Sequence, residues 1–168
     1  MSEPSTSLTP SPSSAALSFL LSDQAAGFVP FERALAGIDA AVAVKRPEGS
    51  PYSPAEVLAH MVFWQQRVLK AFDGIDPGKV EHAALSWPSV TEDEWPGLVE
   101  TFMAGLGRYR AMALDEALLQ RPVREGSKAS VGAQIADMYM HDVHHLGQLI
   151  LLRRMLGAWP PPGGGATW

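Results

Sequence analysis

The sequence contains no cysteine and carries little charge, and each shortage excludes a class of function. With no cysteine among 168 residues, disulfides, cysteine-ligated zinc and a cysteine nucleophile are impossible. Only 18% of the residues are charged and the net charge is −5, so there is no basic surface for nucleic acid. No stretch reaches the roughly 18 uncharged apolar residues that a membrane-spanning helix needs. We therefore expect neither a nucleic-acid partner nor a membrane partner.

What remains is a chain that can bury a core as one domain. It is 46% hydrophobic, and its length suffices for a stable core without disulfides. Residues 1–14 are rich in serine, threonine and proline, which predicts a disordered leader. The domain is expected over residues 15–159, followed by a flexible tail at residues 160–168. Glu3 stands where a signal peptide would carry a basic residue, so the expected location is the cytoplasm.

Helical periodicity covers most of the expected domain. Apolar residues at three- and four-residue steps, together with helix-capping signals, predict helices at residues 17–42, 54–72, 91–116 and 130–157. The first of these should break near residues 27–30, where a glycine and a proline interrupt the pattern. There is no strand pattern, and the connections of roughly 10 to 18 residues are long for neighbouring helices. The predicted fold is an all-α four-helix bundle with long connections.

Three of the five histidines lie in the last predicted helix, within Met138–Leu156. At 3.6 residues per turn, His141 and His145 share one face about 40° apart, while His144 lies roughly 60° to the other side. Two imidazoles placed in this way can bind one ion. His60, in an apolar part of the second helix, is the candidate third ligand. Three neutral imidazoles would form an open site for Zn²⁺ or Ni²⁺, with room for water or substrate.

The same residues have ordinary structural interpretations. Two histidines four residues apart are more often a coincidence than a ligand pair, and a lone histidine on an apolar face is usually a hydrogen-bonded core residue. We expect His144 beside the ligands rather than on the ion, and His82, in a loop, in solvent. Asp137 and Gln148 could orient the ligand imidazoles or a bound water, or could face solvent.

Two segments resemble the DinB-like family of metalloenzymes. They are SPAEVLAHMVFWQ around His60 and HDVHHLGQLILLRRMLG, which begins at His141 and is the more specific. The resemblance extends from the first helix to about Trp159. It implies a four-helix bundle that binds a divalent metal, often zinc or nickel, through one histidine of helix two and two histidines four apart on the last long helix. Those positions match His60, His141 and His145.

The resemblance also implies a chemistry. The family includes bacillithiol-type thiol S-transferases, its wider clan includes mycothiol-dependent maleylpyruvate isomerases, and dimers are common. We therefore expect a thiol S-transferase that acts on small electrophiles, and the protein could assemble as a homodimer. The metal would lower the pKa of a low-molecular-weight thiol, whose sulfur the cysteine-free chain does not have to supply. Trp64 could line the substrate pocket, and Arg67 could position the substrate.

Two alternatives stay open at this point. A metal-dependent hydrolase that uses metal-bound hydroxide needs the same three-histidine open site, so the sequence does not separate it from a transferase. A non-catalytic metal-binding or stress-response protein would also carry these histidines, either as structural residues or as a vestigial site that has lost its ion. A requirement for an added thiol would distinguish the first alternative, and a lack of metal binding and of a cavity beside His60 would favour the second.

Overall fold

The fold is seen in a computed structural model that describes residues 8–22, 27, 29–161 and 163–164. Within these residues every regular element is helical and no strand is present, so the predicted all-α fold is confirmed. The α-helices are α1 (Ser14–Leu21), α2 (Phe31–Leu35), α3 (Ala40–Ala43), α4 (Pro54–Phe72), α5 (Trp95–Met112), α6 (Glu116–Leu119) and α7 (Val131–Met155). A 3₁₀ turn spans Ala83–Ser86. None of the described helices combines the length and the apolarity needed to cross a bilayer.

The later helices begin where their capping signals predict. Ser53 and Glu56 form the expected capping box at the start of α4. Ser130 caps α7, because its hydroxyl accepts a hydrogen bond from the Ala133 amide at 3.1 Å. In α5 the helix starts at Trp95, a few residues after the predicted start, because the Glu94 carboxylate binds the amide and hydroxyl of Thr91 in a separate turn.

The segment predicted as a first helix with one break near residues 27–30 forms three short helices, α1 to α3, so it is interrupted more often than the sequence predicted. Pro30 precedes α2 and lacks the amide hydrogen that a continuous helix would use. Gly37 then adopts a φ of 64°, a left-handed conformation that ends α2 and that other residues rarely adopt. Part of the expected break, including residue 28, lies outside the described residues.

The predicted leader and tail stay predictions. Residues 1–7 of the leader and residues 162 and 165–168 of the tail lie outside the described part of the chain. Among the rest, the amide of Thr9 donates a hydrogen bond to the carbonyl of Lys128 at 2.7 Å. The Ser13 hydroxyl caps α1 by accepting from the Ala16 amide. The hydrogen bond of Thr9 attaches the stretch before α1 to the loop before α7.

The core lies where α4 packs against both α5 and α7. Its fully buried side chains come from all three helices and include Leu58, Met61, Phe102, Leu106, Ile135 and Leu146. Burying each such side chain stabilises the fold by about 1.5–3 kcal/mol relative to leaving it exposed. The contact between α4 and α7 also brings His60 of α4 against the histidines of α7.

The start of α4 is also an ion-pair site. Glu56 Oε2 accepts a hydrogen bond from the Ser53 amide at 2.8 Å, and the same carboxylate accepts hydrogen bonds from the Arg46 guanidinium. These hydrogen bonds, that from Arg46 above all, lower the pKa of Glu56 although burial acts in the opposite direction. The carboxylate therefore joins the loop before α4 to the helix itself.

We expect Glu56→Gln to lower the free energy of unfolding by about 1 kcal/mol at pH 7, because half-exposed Arg46 makes only a solvent-weakened ion pair. A carboxyl whose pKa is lower in the folded than in the unfolded state stabilises the fold above its unfolded pKa. That contribution is lost as the pH falls through the folded pKa. The difference between the two proteins should therefore shrink below about pH 4.5, as urea unfolding over this range would measure.

The exposed loop residue Glu48 offers a matched control. Glu48→Gln should change the free energy of unfolding by less than about 0.5 kcal/mol, because the side chain lies in solvent. An equal loss of stability in Glu56→Gln at neutral and acidic pH would contradict the expectation, since it would assign the loss to packing rather than to charge.

Candidate metal site

The packing of α4 on α7 brings His60, His141 and His145 together. Each offers one ring nitrogen to a common group in which these atoms all lie within 4.8 Å of one another. The Nε2 atoms of His60 and His141 are 3.2 Å apart. The ring centroid of His145 lies 4.6 Å from that of His60 and 4.5 Å from that of His141. The three histidines singled out from the sequence thus form one cluster.

His60 is held by the connection between α4 and α5. Its Nδ1 donates a hydrogen bond to the carbonyl of Ser86 at 2.9 Å, and its ring stacks on Trp87 with the centroids 3.9 Å apart. Trp87 is in turn stacked on Tyr52, again at 3.9 Å. Because Nδ1 carries the hydrogen, Nε2 keeps its lone pair and faces His141. These contacts could not be predicted from the sequence, because the connection between α4 and α5 shows no periodicity.

The two histidines of α7 are oriented in the same way. His145 Nδ1 donates to Gln148 Oε1 at 2.8 Å, and Gln148 Nε2 donates to His144 Nε2 at 3.1 Å. His141 Nδ1 lies 3.3 Å from Asp142 Oδ1. Each ring of the cluster therefore uses Nδ1 for an oxygen acceptor and leaves Nε2 for the centre, which is the arrangement that fixes the tautomer of metal-binding imidazoles. Gln148 contacts a cluster histidine, and His144 lies one step further out.

Asp142 is the residue that sequence reasoning missed. It is fully buried, and its Oδ2 has no hydrogen-bond partner among the described residues. Burial raises its pKa to about 6, against the lowering effect of the hydrogen bond from His141. Asp137, the acid that shares the helical face of His141, is exposed instead. The available signal for Asp142 was an acidic residue directly after the candidate ligand His141, on a helix with enough apolar residues to be largely buried.

Burial keeps two histidines of the cluster, His60 and His145, neutral. It lowers the pKa of His60, and it lowers that of His145 to about 4, although the hydrogen bonds from their rings act in the opposite direction. Both rings are therefore uncharged at neutral pH. The neutral imidazole is the form that binds a metal ion.

The donor set fits a divalent ion of the zinc or nickel type. Imidazole nitrogen suits both ions, and ligands at about 2.0–2.1 Å in tetrahedral positions are about 3.3 Å from each other. The separation of 3.2 Å between Nε2 of His60 and Nε2 of His141 agrees with that spacing. Three protein ligands would leave a further position for water or substrate. The cluster could thus hold a metal ion.

A cleft of about 480 Å³ opens beside His141. It is lined by His141 itself and by two residues proposed from the sequence as pocket residues, Trp64 and Arg67. Asp137 lies on the opposite wall, so its place is in the cleft rather than on a histidine. His82 is exposed, as expected. The candidate site therefore combines a histidine cluster that could hold an ion with an adjoining space large enough for a small molecule.

Fold and site together define an all-helical protein with a candidate three-histidine metal centre. The sequence profile of the DinB superfamily matches residues 30–149, which is more than half of the chain and includes all three histidines. The chain belongs to the DinB superfamily, as the resemblance predicted. Neither the curated proteins nor the solved structures contain a match to it.

Proposed function

We propose that His60, His141 and His145 bind one divalent metal ion, zinc or nickel, and that the protein is a thiol S-transferase acting on small electrophiles. The observation that carries the proposal is the pairing of every Nδ1 in the cluster with an oxygen acceptor. Rings held in this way lose little conformational freedom when they bind an ion. The cleft at His141 supplies the space for the two reactants.

When bound, the ion would act as a Lewis acid and lower the pKa of a thiol at the site. The chain's own residues then have two tasks. Ser86 and Gln148 hold the imidazoles in place, and Trp64 gives the cleft an apolar wall that excludes water from the electrophile. In the transfer itself, the thiol loses its proton to solvent, the sulfur forms a bond to the electrophilic carbon, and the leaving group departs with the pair of electrons of its broken bond.

The test is a requirement for a thiol. Protein loaded with one equivalent of zinc should release chloride from an activated chloroarene only when a low-molecular-weight thiol is added, and the product should contain the new carbon–sulfur bond. Mass spectrometry of the product and chloride release measure this directly. Turnover without thiol that yields the hydroxylated product would overturn the transferase proposal in favour of a hydrolase. An absence of both zinc and nickel binding would overturn the metal site as well.

A further inference from the structure

The cleft beside His141 runs between α4 and α7, and we call it the α4–α7 cleft. Its apolar surface includes Val68 and Ala71 from α4 and Met138 from α7. Its polar side chains are Arg67 on one helix and Gln134 and Asp137 on the other, with His141 at the end towards the histidine cluster. Spacings of three and four residues place these groups on the facing sides of the two helices.

The two charges of the α4–α7 cleft have opposite signs and do not pair with each other. Arg67 makes no ion pair within the described part of the chain, and Asp137 has neither an ion pair nor a hydrogen-bond partner there. The Arg67 guanidinium is nevertheless held in place, since its Nη2 donates to the carbonyl of Gly78 at 2.6 Å. It also lies 5.4 Å from the ring centre of Phe63 and 5.9 Å from that of Trp64. A cation on one wall thus faces the same space as an anion on the other.

We propose that the α4–α7 cleft binds a zwitterionic thiol, a small molecule that carries a carboxylate, a protonated amine and a sulfhydryl group. This rests on the proposed function, because the sulfur is placed at the histidine cluster. The carboxylate pairs with Arg67 and the ammonium group with Asp137. A ligand with one charge makes only one of these two charge-assisted contacts, and a neutral ligand makes neither, so such ligands bind less well.

The size of the cleft agrees with two reactants. About 480 Å³ is within the range of small-molecule pockets and is larger than an amino-acid thiol requires. The space near Trp64 is then free for the electrophile, whose apolar part the indole can contact. Arg67 and Asp137 are in this assignment specificity-determining residues for the thiol.

The experiment measures equilibrium binding of four thiols to zinc-loaded protein by tryptophan fluorescence, with calorimetry as a second readout. The thiols share an HS–CH₂–C unit and differ in the polar groups that it carries: L-cysteine has both the carboxylate and the ammonium group, 3-mercaptopropionate only the carboxylate, cysteamine only the ammonium group, and 2-mercaptoethanol an uncharged hydroxyl. L-cysteine should bind about 10-fold more tightly than either singly charged thiol, because two charge-assisted contacts in a half-exposed cleft replace one. Metal content is measured after each titration, so that loss of zinc to the thiol is not counted as binding.

Two variants make the pattern specific. Arg67→Gln should weaken the binding of L-cysteine and 3-mercaptopropionate by about 10-fold and leave the binding of cysteamine unchanged. Asp137→Asn should weaken the binding of L-cysteine and cysteamine and leave the binding of 3-mercaptopropionate unchanged. Lys70→Gln removes an exposed positive charge from α4 outside the cleft, so it controls for the general effect of a lost charge. It should alter no affinity more than about twofold. Equal binding of all four thiols, or variant effects that do not follow ligand charge, would overturn the zwitterion assignment and leave the transferase proposal intact. Zinc-loaded protein that binds no thiol would overturn both.

Discussion

Replacing His141 with alanine is expected to abolish stoichiometric metal binding. The variant removes one of three nitrogen donors and leaves two. We expect the zinc affinity to fall by more than about 100-fold, because losing a ligand costs more than losing a residue that only orients a ligand. His60→Ala and His145→Ala should give the same result. The measurement is metal content after dialysis with one equivalent of zinc, together with the rise in melting temperature that a bound ion produces in the native protein.

Two other histidines provide graded controls for this series. His82→Ala changes an exposed side chain and should keep full metal content. His144→Ala removes the side chain that accepts a hydrogen bond from Gln148, which in turn holds His145, so a loss of affinity of about 10-fold is expected. A His141→Ala protein with native zinc affinity would show that the cluster is not the metal site, however well its geometry fits an ion.

The parts of the site that could be predicted from the sequence are those fixed by local signals. Ser53 and Ser130 are helix caps, and each determines where a long helix begins and therefore which of its faces points inward. Once α4 and α7 are assigned, the spacing of His141 and His145 puts both on one face. The juxtaposition with His60 followed from the apolar surroundings of both segments, which require the two faces to be buried against each other.

The remaining parts depend on tertiary packing. Ser86 and Trp87 hold His60, yet they lie in a connection without periodicity, and only the folded chain carries them to α4. Asp142 was not predicted as a residue of the site for a different reason. A helical face defined from His141 alone excludes its neighbour by about 100°, although α7 is buried over more than one face. The left-handed backbone conformation of Gly37 ends α2, although the apolar residues around it continue at helical spacing.

A buried cation joins the end of α7 to the segments around it. Arg153 is fully buried, and its guanidinium donates hydrogen bonds to the carbonyls of Ala34, Ala36 and Ala158. It also lies 5.2 Å from the ring centre of Trp159. No acid takes part in the contacts observed for it, so backbone carbonyls at the end of α2 and after α7 provide the compensation that a desolvated charge needs.

We expect Arg153→Ala to lower the free energy of unfolding by about 3–5 kcal/mol, because it leaves buried carbonyls without donors and opens a cavity at the end of α7. Arg153→Met, which fills most of the space, should recover the packing part and still be clearly less stable than the native protein. Arg154→Ala removes the same charge from the same end of the helix dipole at an exposed position, and it should cost less than about 1 kcal/mol. Urea unfolding of the three variants measures these differences. Equal losses in Arg153→Ala and Arg154→Ala would assign the effect to the helix dipole and refute a role for the buried hydrogen bonds.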